Sequence, residues 1–253
     1  MSGILDTTVH DRPFATDAPS REGEPPALIA PVWHTVVMLC VCVFWTFAAA
    51  RHQQHSRLPP QWAREGRYIA TIVWQLLLVL FIWFGIRRRG HTLGELVAGR
   101  WPTWRAALRD AKIAVLFYVF LLVALGALSF VLGANQYHSD KLLALIPHTA
   151  LERVTWCFTA VVIGFCEELI FRGYFMRQFA ALAKGERAGG VLQAALFGFG
   201  HLYQGPRGMI VIGVEGFFLG ELARRRRSLR PGMIAHGLQD LIAGLAASAV
   251  KLR

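Results

Sequence analysis

Two adjacent carboxylates and an arginine lie near the end of an apolar segment, residues 154–171, that is long enough to enter a membrane. Ionisable groups at membrane depth usually face a bundle interior or a water-filled cavity. On a helix Glu168 and Arg172 can pair on one face, while Glu167 points about 100° away. Glu167 would then be free to act as a general base. A helix end in the headgroup region, with all three charges solvated, would contain the same residues.

Two further polar clusters follow in apolar surroundings. Phe197 precedes His201 by four residues, and His236 precedes Asp240 by the same spacing, which places each pair on one helical face. A lone histidine in an apolar helix is more often satisfied by a neighbouring polar group than used as a ligand. Three separate clusters in lipid would each cost several kcal/mol if unpaired. We therefore expect the three clusters to converge.

The composition predicts the fold class. The chain has 253 residues, of which 55% are hydrophobic and 17% are charged, which is too apolar for an ordinary soluble domain. Since a helix needs roughly 20 apolar residues to cross a bilayer, we predict an all-α, polytopic membrane protein with about seven transmembrane helices. The predicted spans are residues 28–50, 68–86, 113–132, 150–171, 189–203, 208–223 and 231–250.

Three regions follow from this pattern. Residues 1–27 are polar and predict a mobile N-terminal tail. Residues 28–149 contain the first spans and, within 91–112, a basic amphipathic segment expected at the membrane interface. Residues 150–250 contain all three polar clusters and predict a catalytic helical bundle. The four cysteines lie in apolar spans and are expected to be small buried hydrophobes.

The formal net charge of +11 indicates membrane topology and contact with anionic lipid headgroups. No nucleic-acid-binding motif accompanies the charge, so nucleic acid is not an expected partner. Lysine and arginine are in excess on the inner side if the N-terminus is inside, which predicts a multi-pass membrane protein in that orientation. The expected location is a bacterial inner membrane. Four arginines between the first two spans oppose this topology: Arg51, Arg57, Arg64 and Arg67.

The three clusters in this order resemble the three-motif signature of the CAAX prenyl protease and bacteriocin-processing family (CPBP, or Abi), which are intramembrane endopeptidases. The resemblance covers about residues 150–245. Its motifs are Glu167-Glu168-x-x-x-Arg172, Phe197-x-x-x-His201 and His236-x-x-x-Asp240. The third motif commonly ends in Asn in this family, and Asp240 stands there instead. An ionised carboxylate cannot donate a hydrogen bond.

The resemblance implies a peptide or membrane-protein substrate that is hydrolysed by a glutamate-activated water. Glu167 would be the general base, and His201 would orient the water or act as the acid. The remaining roles would be stabilisation of the tetrahedral intermediate, by His236 and Asp240, and fixation of Glu168, by Arg172. No cofactor is expected. If zinc is used, its ligands would be Glu167, His201 and His236, although they are scattered over three helices and no His-Glu-x-x-His motif is present.

Two other functions fit the same residues. One is a non-catalytic immunity or scaffold protein that keeps the fold. The other is an ion-coupled transporter with a relay of buried acids and histidines, although the chain lacks the repeated halves common in transporters. Two further acids, Glu215 and Glu221, lie in the sixth span. We expect Glu221 to pair with the arginines that follow it. Glu215, outside the catalytic set, is expected to face the cavity, to extend toward the membrane interface, or to pair with Arg207 or His201.

Overall fold

The computed structural model describes residues 26–55, 61–98, 100–133 and 146–251. Most of the predicted N-terminal tail, residues 1–25, and most of the loop before residue 149 lie outside this part of the chain. The described residues are largely helical and contain no strand, which confirms the all-α fold class. The helices are α1 (Val32–His55), α2 (Gln61–Arg87), α3 (Leu93–Val97), α4 (Trp104–Val131), α5 (Ala150–Leu182), α6 (Glu186–Gly200), α7 (Gly205–Arg226) and α8 (Arg230–Lys251).

Four of these helices, α1, α2, α4 and α5, are long and apolar enough to cross a membrane. The chain is therefore a polytopic membrane protein. The last three helices are shorter or more polar, with 15 residues in α6 and 22 in each of α7 and α8. The count of seven spans stays a prediction for these three.

Helix α5 carries the Glu-Glu motif at its middle, because the helix continues well past the predicted end of its span at residue 171. It begins with a capping box, in which Thr149 and Glu152 satisfy each other's backbone N–H groups. From Glu168 to Phe175 the backbone is a π-helix, and from Met176 it is α-helical again. π-Helical turns are rare and occur frequently at functional sites. This wider turn presents the motif to the interior of the bundle.

The predicted amphipathic segment, residues 91–112, is divided between two helices. Helix α3 buries Leu96 against the π-helical part of α5. Outside the membrane spans, partial burial raises the pKa of Glu95, but hydrogen bonds from His91 and Thr92 outweigh it and the pKa lies below its usual value. Thr103 caps a new helix, so the rest of the segment forms the first turns of α4.

Glycines allow the helices around the motif to approach closely. A Cβ at Gly164 of α5 would overlap the backbone of Gly237 in α8, and a Cβ at Gly198 of α6 would lie 2.8 Å from the Cα of Gly213 in α7. These contacts confirm that the Gly-rich last helices pack tightly. They place α5, α6, α7 and α8 around one polar centre.

The start of α1 is fastened to the second half of α5 by buried polar groups. The Gln178 amide accepts hydrogen bonds from the backbone N–H groups of Ile29 and Ala30, at 2.9 and 3.2 Å. The Tyr174 hydroxyl lies 2.7 Å from His34 Nδ1. Since these groups satisfy one another inside the protein, they fix the N-terminal half of the chain to the helix that carries the motif.

Candidate active site

The centre of the site is a buried chain of three side chains from α5 and α8. Arg172 Nη1 donates to Glu168 Oε1 at 2.8 Å, and both side chains are fully buried, so the ion pair predicted from their spacing is present. His236 Nδ1 lies 3.1 Å from the same carboxylate oxygen. Because an ionised carboxylate only accepts hydrogen bonds, His236 must carry a proton on Nδ1.

Phe197 and the backbone of α7 and α8 enclose these three buried side chains. The Arg172 guanidinium lies 4.2 Å from the centre of the Phe197 ring, and its Nη2 donates to the Gly216 carbonyl at 3.3 Å. On the other side, a Cβ at residue 232 would lie 2.9 Å from Glu168 Oε2, so Gly232 leaves room for that oxygen. Glu168 is thus held by a cation and enclosed by helix backbone.

Glu167 has a different environment. Its side chain is 15% exposed, whereas that of Glu168 is not exposed at all. Its Oε1 accepts a hydrogen bond from Gln75 Nε2 of α2 at 2.8 Å. Its Oε2 lies 3.8 Å from His236 Nε2. That separation exceeds a hydrogen bond and is short enough to be bridged by one water.

Asp240 lies on the other side of the same histidine nitrogen. Its Oδ2 is 3.9 Å from His236 Nε2, and its side chain is 25% exposed. The Trp156 indole N–H of α5 donates to the Asp240 backbone carbonyl at 3.1 Å, which ties this turn of α8 to α5. His236 Nε2 therefore faces two carboxylates, of Glu167 and Asp240, with a gap to each.

His201 lies beside the site, where its ring contacts those of Phe197 and Tyr203. It follows the last residue of α6, and its Nδ1 lies 2.9 Å from the Phe197 carbonyl. The Phe197 ring separates the two histidines, with its centre 5.0 Å from the His201 ring and 5.9 Å from the His236 ring. Since a carbonyl accepts, His201 Nδ1 carries the proton and Nε2 is left as an acceptor in the neutral ring.

Several polar residues at the site, Gln75 and Glu215 among them, were not among the predicted site residues. Gln75 lies in the apolar second span, where an uncharged amide gives little signal. Glu215 was set apart from the catalytic set, yet it is 1% exposed and lies in electrostatic range of His236, Arg172 and His201. It accepts a hydrogen bond from Gln239 at 2.6 Å, whereas Arg207 donates to the Gly133 carbonyl. The apolar residues on either side of Glu215 in the sequence were the signal available.

The zinc alternative can be compared with this geometry. Among the described residues, no group of three or more His, Cys, Asp or Glu side chains is arranged to hold a metal ion. His236 and His201 nevertheless each have Nδ1 bound to an acceptor and Nε2 turned elsewhere, an orientation that zinc-binding histidines also adopt. The orientation of the rings fits a metal, but the positions of the three proposed ligands do not converge.

The fold and the site together define a polytopic helical membrane protein with a buried Glu–Arg–His centre. Residues 149–242 match the family described as type II CAAX prenyl endopeptidase Rce1-like. Neither a curated protein nor a solved structure matches the chain significantly. The matched residues include all three motifs, so the family predicted from them is confirmed.

Residues 149–242 therefore belong to the CAAX prenyl protease and bacteriocin-processing family. At the level of the family, this supports a membrane-embedded peptidase of the CAAX-protease type. Helices α1 to α4 lie outside the matched residues, although α2 contributes Gln75 to the site.

Proposed function

We propose that the protein is an intramembrane endopeptidase in which Glu167 activates a water molecule for attack on a peptide bond. The observation that supports this most directly is the contrast between the two adjacent carboxylates. Glu168 is fully buried and forms an ion pair with Arg172. Glu167 is partly exposed, and one of its oxygens faces a gap beside His236. Glu168 would organise the site, and Glu167 would act on the substrate.

The proposed reaction uses the gap around His236 Nε2. A water in this gap, beside Glu167, loses a proton to Glu167 as its oxygen attacks the carbonyl carbon. The carbonyl oxygen becomes negatively charged in the tetrahedral intermediate. His236, protonated on both nitrogens and held by Glu168, donates from Nε2 to that oxygen. The proton on Glu167 then passes to the leaving amine nitrogen as the carbon–nitrogen bond breaks.

Asp240 would support the oxyanion only in its protonated form, because an ionised carboxylate cannot donate. In its ionised form it would stabilise the protonated His236 instead, which lies 3.9 Å away. In both forms Asp240 acts through its position beside His236, the histidine that faces the intermediate. His201, with its proton on Nδ1, would orient the water as a hydrogen-bond acceptor.

A zinc-dependent version of the same reaction is the second candidate, supported by the ring orientation of the two histidines. Glu167, His201 and His236 would hold the ion, and the ion would make the bound water more acidic. We favour the metal-free version because His236 lies among three carboxylates, which stabilise its protonated form, and a protonated ring cannot bind a metal.

The test is cleavage of a panel of membrane-anchored and prenylated peptides by the purified protein. Wild type should cleave at least one peptide in the presence of phenanthroline, and Glu167→Gln should be inactive. Glu221→Gln is the matched control, because Glu221 pairs with Arg224 and Arg225 at the end of α7, away from the site. It should cleave like wild type.

Equal cleavage by wild type and Glu167→Gln would contradict the proposed base. Activity that is lost with the chelator and restored by zinc would establish the metal-dependent version. The panel also addresses the substrate, since cleavage confined to prenylated peptides would identify a prenylated protein, and cleavage of unmodified peptides would indicate a leader peptide or another membrane protein. We further propose that the protein is located in a bacterial inner membrane. Anionic lipid is the proposed partner of the arginines at the end of α7 and the start of α8.

A further inference from the structure

Gln75 is the polar residue of α2 that reaches the site. It is 7% exposed, and its Nε2 donates to Glu167 Oε1 at 2.8 Å. The direction of this hydrogen bond is fixed by the partner, since an ionised carboxylate can only accept and the amide nitrogen can only donate. Gln75 lies outside residues 149–242, the part of the chain that matches the family.

The same face of α2 is held against α5 at three levels. Arg64 pairs with Glu152 at 2.9 Å, and the Tyr68 ring packs against Trp156 with ring centres 5.4 Å apart. Gln75 lies further along this face, opposite Glu167. The first two contacts fix the two helices together, so the Gln75 amide is held at the depth of the predicted base.

The two carboxylates of the motif differ in the kind of partner that holds them. Glu168 is held by the Arg172 cation, which stabilises its negative charge. Glu167 accepts its hydrogen bond from a neutral amide, which fixes the orientation of the carboxylate without forming an ion pair with it. With Oε1 occupied by Gln75, Oε2 is the oxygen left to face His236 and a water.

The carbonyl oxygen of the Gln75 amide does not help to stabilise the fold. This oxygen, Oε1, is buried and has no hydrogen-bond partner among the described residues. A buried acceptor without a partner destabilises the fold, and an apolar side chain of the same shape would avoid that cost. Polar groups that fit the fold poorly are expected at functional sites.

We propose that Gln75 is a positioning residue for Glu167, supplied by the N-terminal half of the chain, which orients the general base without neutralising it. This inference rests on the proposed function of Glu167. It predicts that removal of the amide lowers activity much more than it lowers stability.

The first test is Gln75→Met, which keeps the length of the side chain and removes both polar atoms. The expected result is a fall in kcat of about 10- to 100-fold, the range for loss of a hydrogen bond to a charged group. The melting temperature in detergent should change little, because loss of the hydrogen bond to Glu167 and removal of the unpaired oxygen act in opposite directions. Gln178→Met is the matched control, since that amide is also buried but bonds the start of α1. It should melt at a lower temperature and keep its kcat per folded molecule.

The second test is the division of the effect between kcat and KM in Gln75→Met. Loss of a contact that positions the base should lower kcat and leave KM close to that of wild type, because the substrate still binds but the base is misaligned in the transition state. A purely structural glutamine would leave both parameters, expressed per folded molecule, unchanged.

The outcomes separate this inference from the proposed function. If wild type and Glu167→Gln cleave equally, the proposed base is wrong. If only Glu167→Gln is inactive, and Gln75→Met has the kcat of wild type, Gln75 does not position the base. The inference would also be overturned if Gln75→Met lost kcat only to the extent that its melting temperature fell, because partial unfolding would then explain the loss.

Discussion

At the scale of single residues, the site divides two neighbouring carboxylates into a structural and a reactive group. Glu168 lies between Arg172 and His236, with contacts of 2.8 and 3.1 Å. A buried ion pair is held in place by hydrogen bonds rather than by solvent, and removal of one partner leaves the other charge uncompensated. The integrity of the site should therefore depend on Arg172 more than on any exposed charge.

This can be tested with two ion pairs of identical spacing. Glu168–Arg172 is fully buried, and Glu221–Arg225 is a surface pair in which Arg225 is 73% exposed. Arg172→Met should destabilise the protein by about 3–5 kcal/mol, the usual effect of breaking a buried pair. Arg225→Met should cause little change, since exposed pairs contribute little. The measurement is thermal unfolding in detergent, and equal losses in the two variants would contradict the difference in environment.

At the scale of helices, contacts between residues were easier to predict from the sequence than the ends of the helices. The i, i+4 spacing of Glu168 and Arg172 was sufficient to predict their pairing. The continuation of α5 to Leu182 was hidden because Arg172 and Arg177 interrupt the apolar pattern. Both arginines find partners inside the protein: Arg177 donates to the Leu96 carbonyl. The π-helical turn and the Gln75 contact depend on the packing of helices that are distant in sequence.

The approach of α5 to α8 sets the distance between Glu168 and His236. Gly164→Ala would place a methyl group against the Gly237 backbone and push the two helices apart. Overpacking of this kind typically costs about 1–3 kcal/mol, and the 3.1 Å contact of His236 with Glu168 should lengthen. We expect a lower melting temperature together with a lower kcat, measured on the same purified variant.

Gly126→Ala in α4 is the control for that change. No atom lies within 4 Å of the position that its Cβ would occupy, and alanine is the better helix former. Its stability should equal or exceed that of wild type. Comparable losses of stability in Gly126→Ala and Gly164→Ala would mean that the effect of Gly164→Ala does not come from the contact between α5 and α8.

At the scale of the whole molecule, the contacts sort the charged segments to two ends of the bundle. Asp110, near the start of α4, lies 3.3 Å from Arg230, which begins α8, and accepts a hydrogen bond from Trp101 at 2.9 Å. One end therefore contains several groups of basic residues, among them 87–89, 105–112 and 224–230. Arg64 and Arg153 mark the other end, through Glu152 and Ser248. This sorting is what the positive-inside rule requires of the cytoplasmic end.

The orientation can be measured with single cysteines in a chain whose four native cysteines are replaced by alanine. Arg225→Cys marks the basic end, where the side chain is largely exposed. Arg51→Cys marks the far part of α1, which only residues 56–60 separate from the start of α2. With the N-terminus inside, a membrane-impermeant maleimide should label Arg51→Cys in intact cells and Arg225→Cys only after lysis.

Each other labelling pattern has a definite meaning. The reverse pattern would place the N-terminus outside and the basic end away from the cytoplasm, against the positive-inside rule. Labelling of both cysteines only after lysis would mean that α1 does not cross the membrane, as the arginines between the first two predicted spans also suggest. Because α2 supplies Gln75 and is fastened to α5 through Glu152, the orientation of α1 and α2 also determines from which side a substrate must approach Glu167.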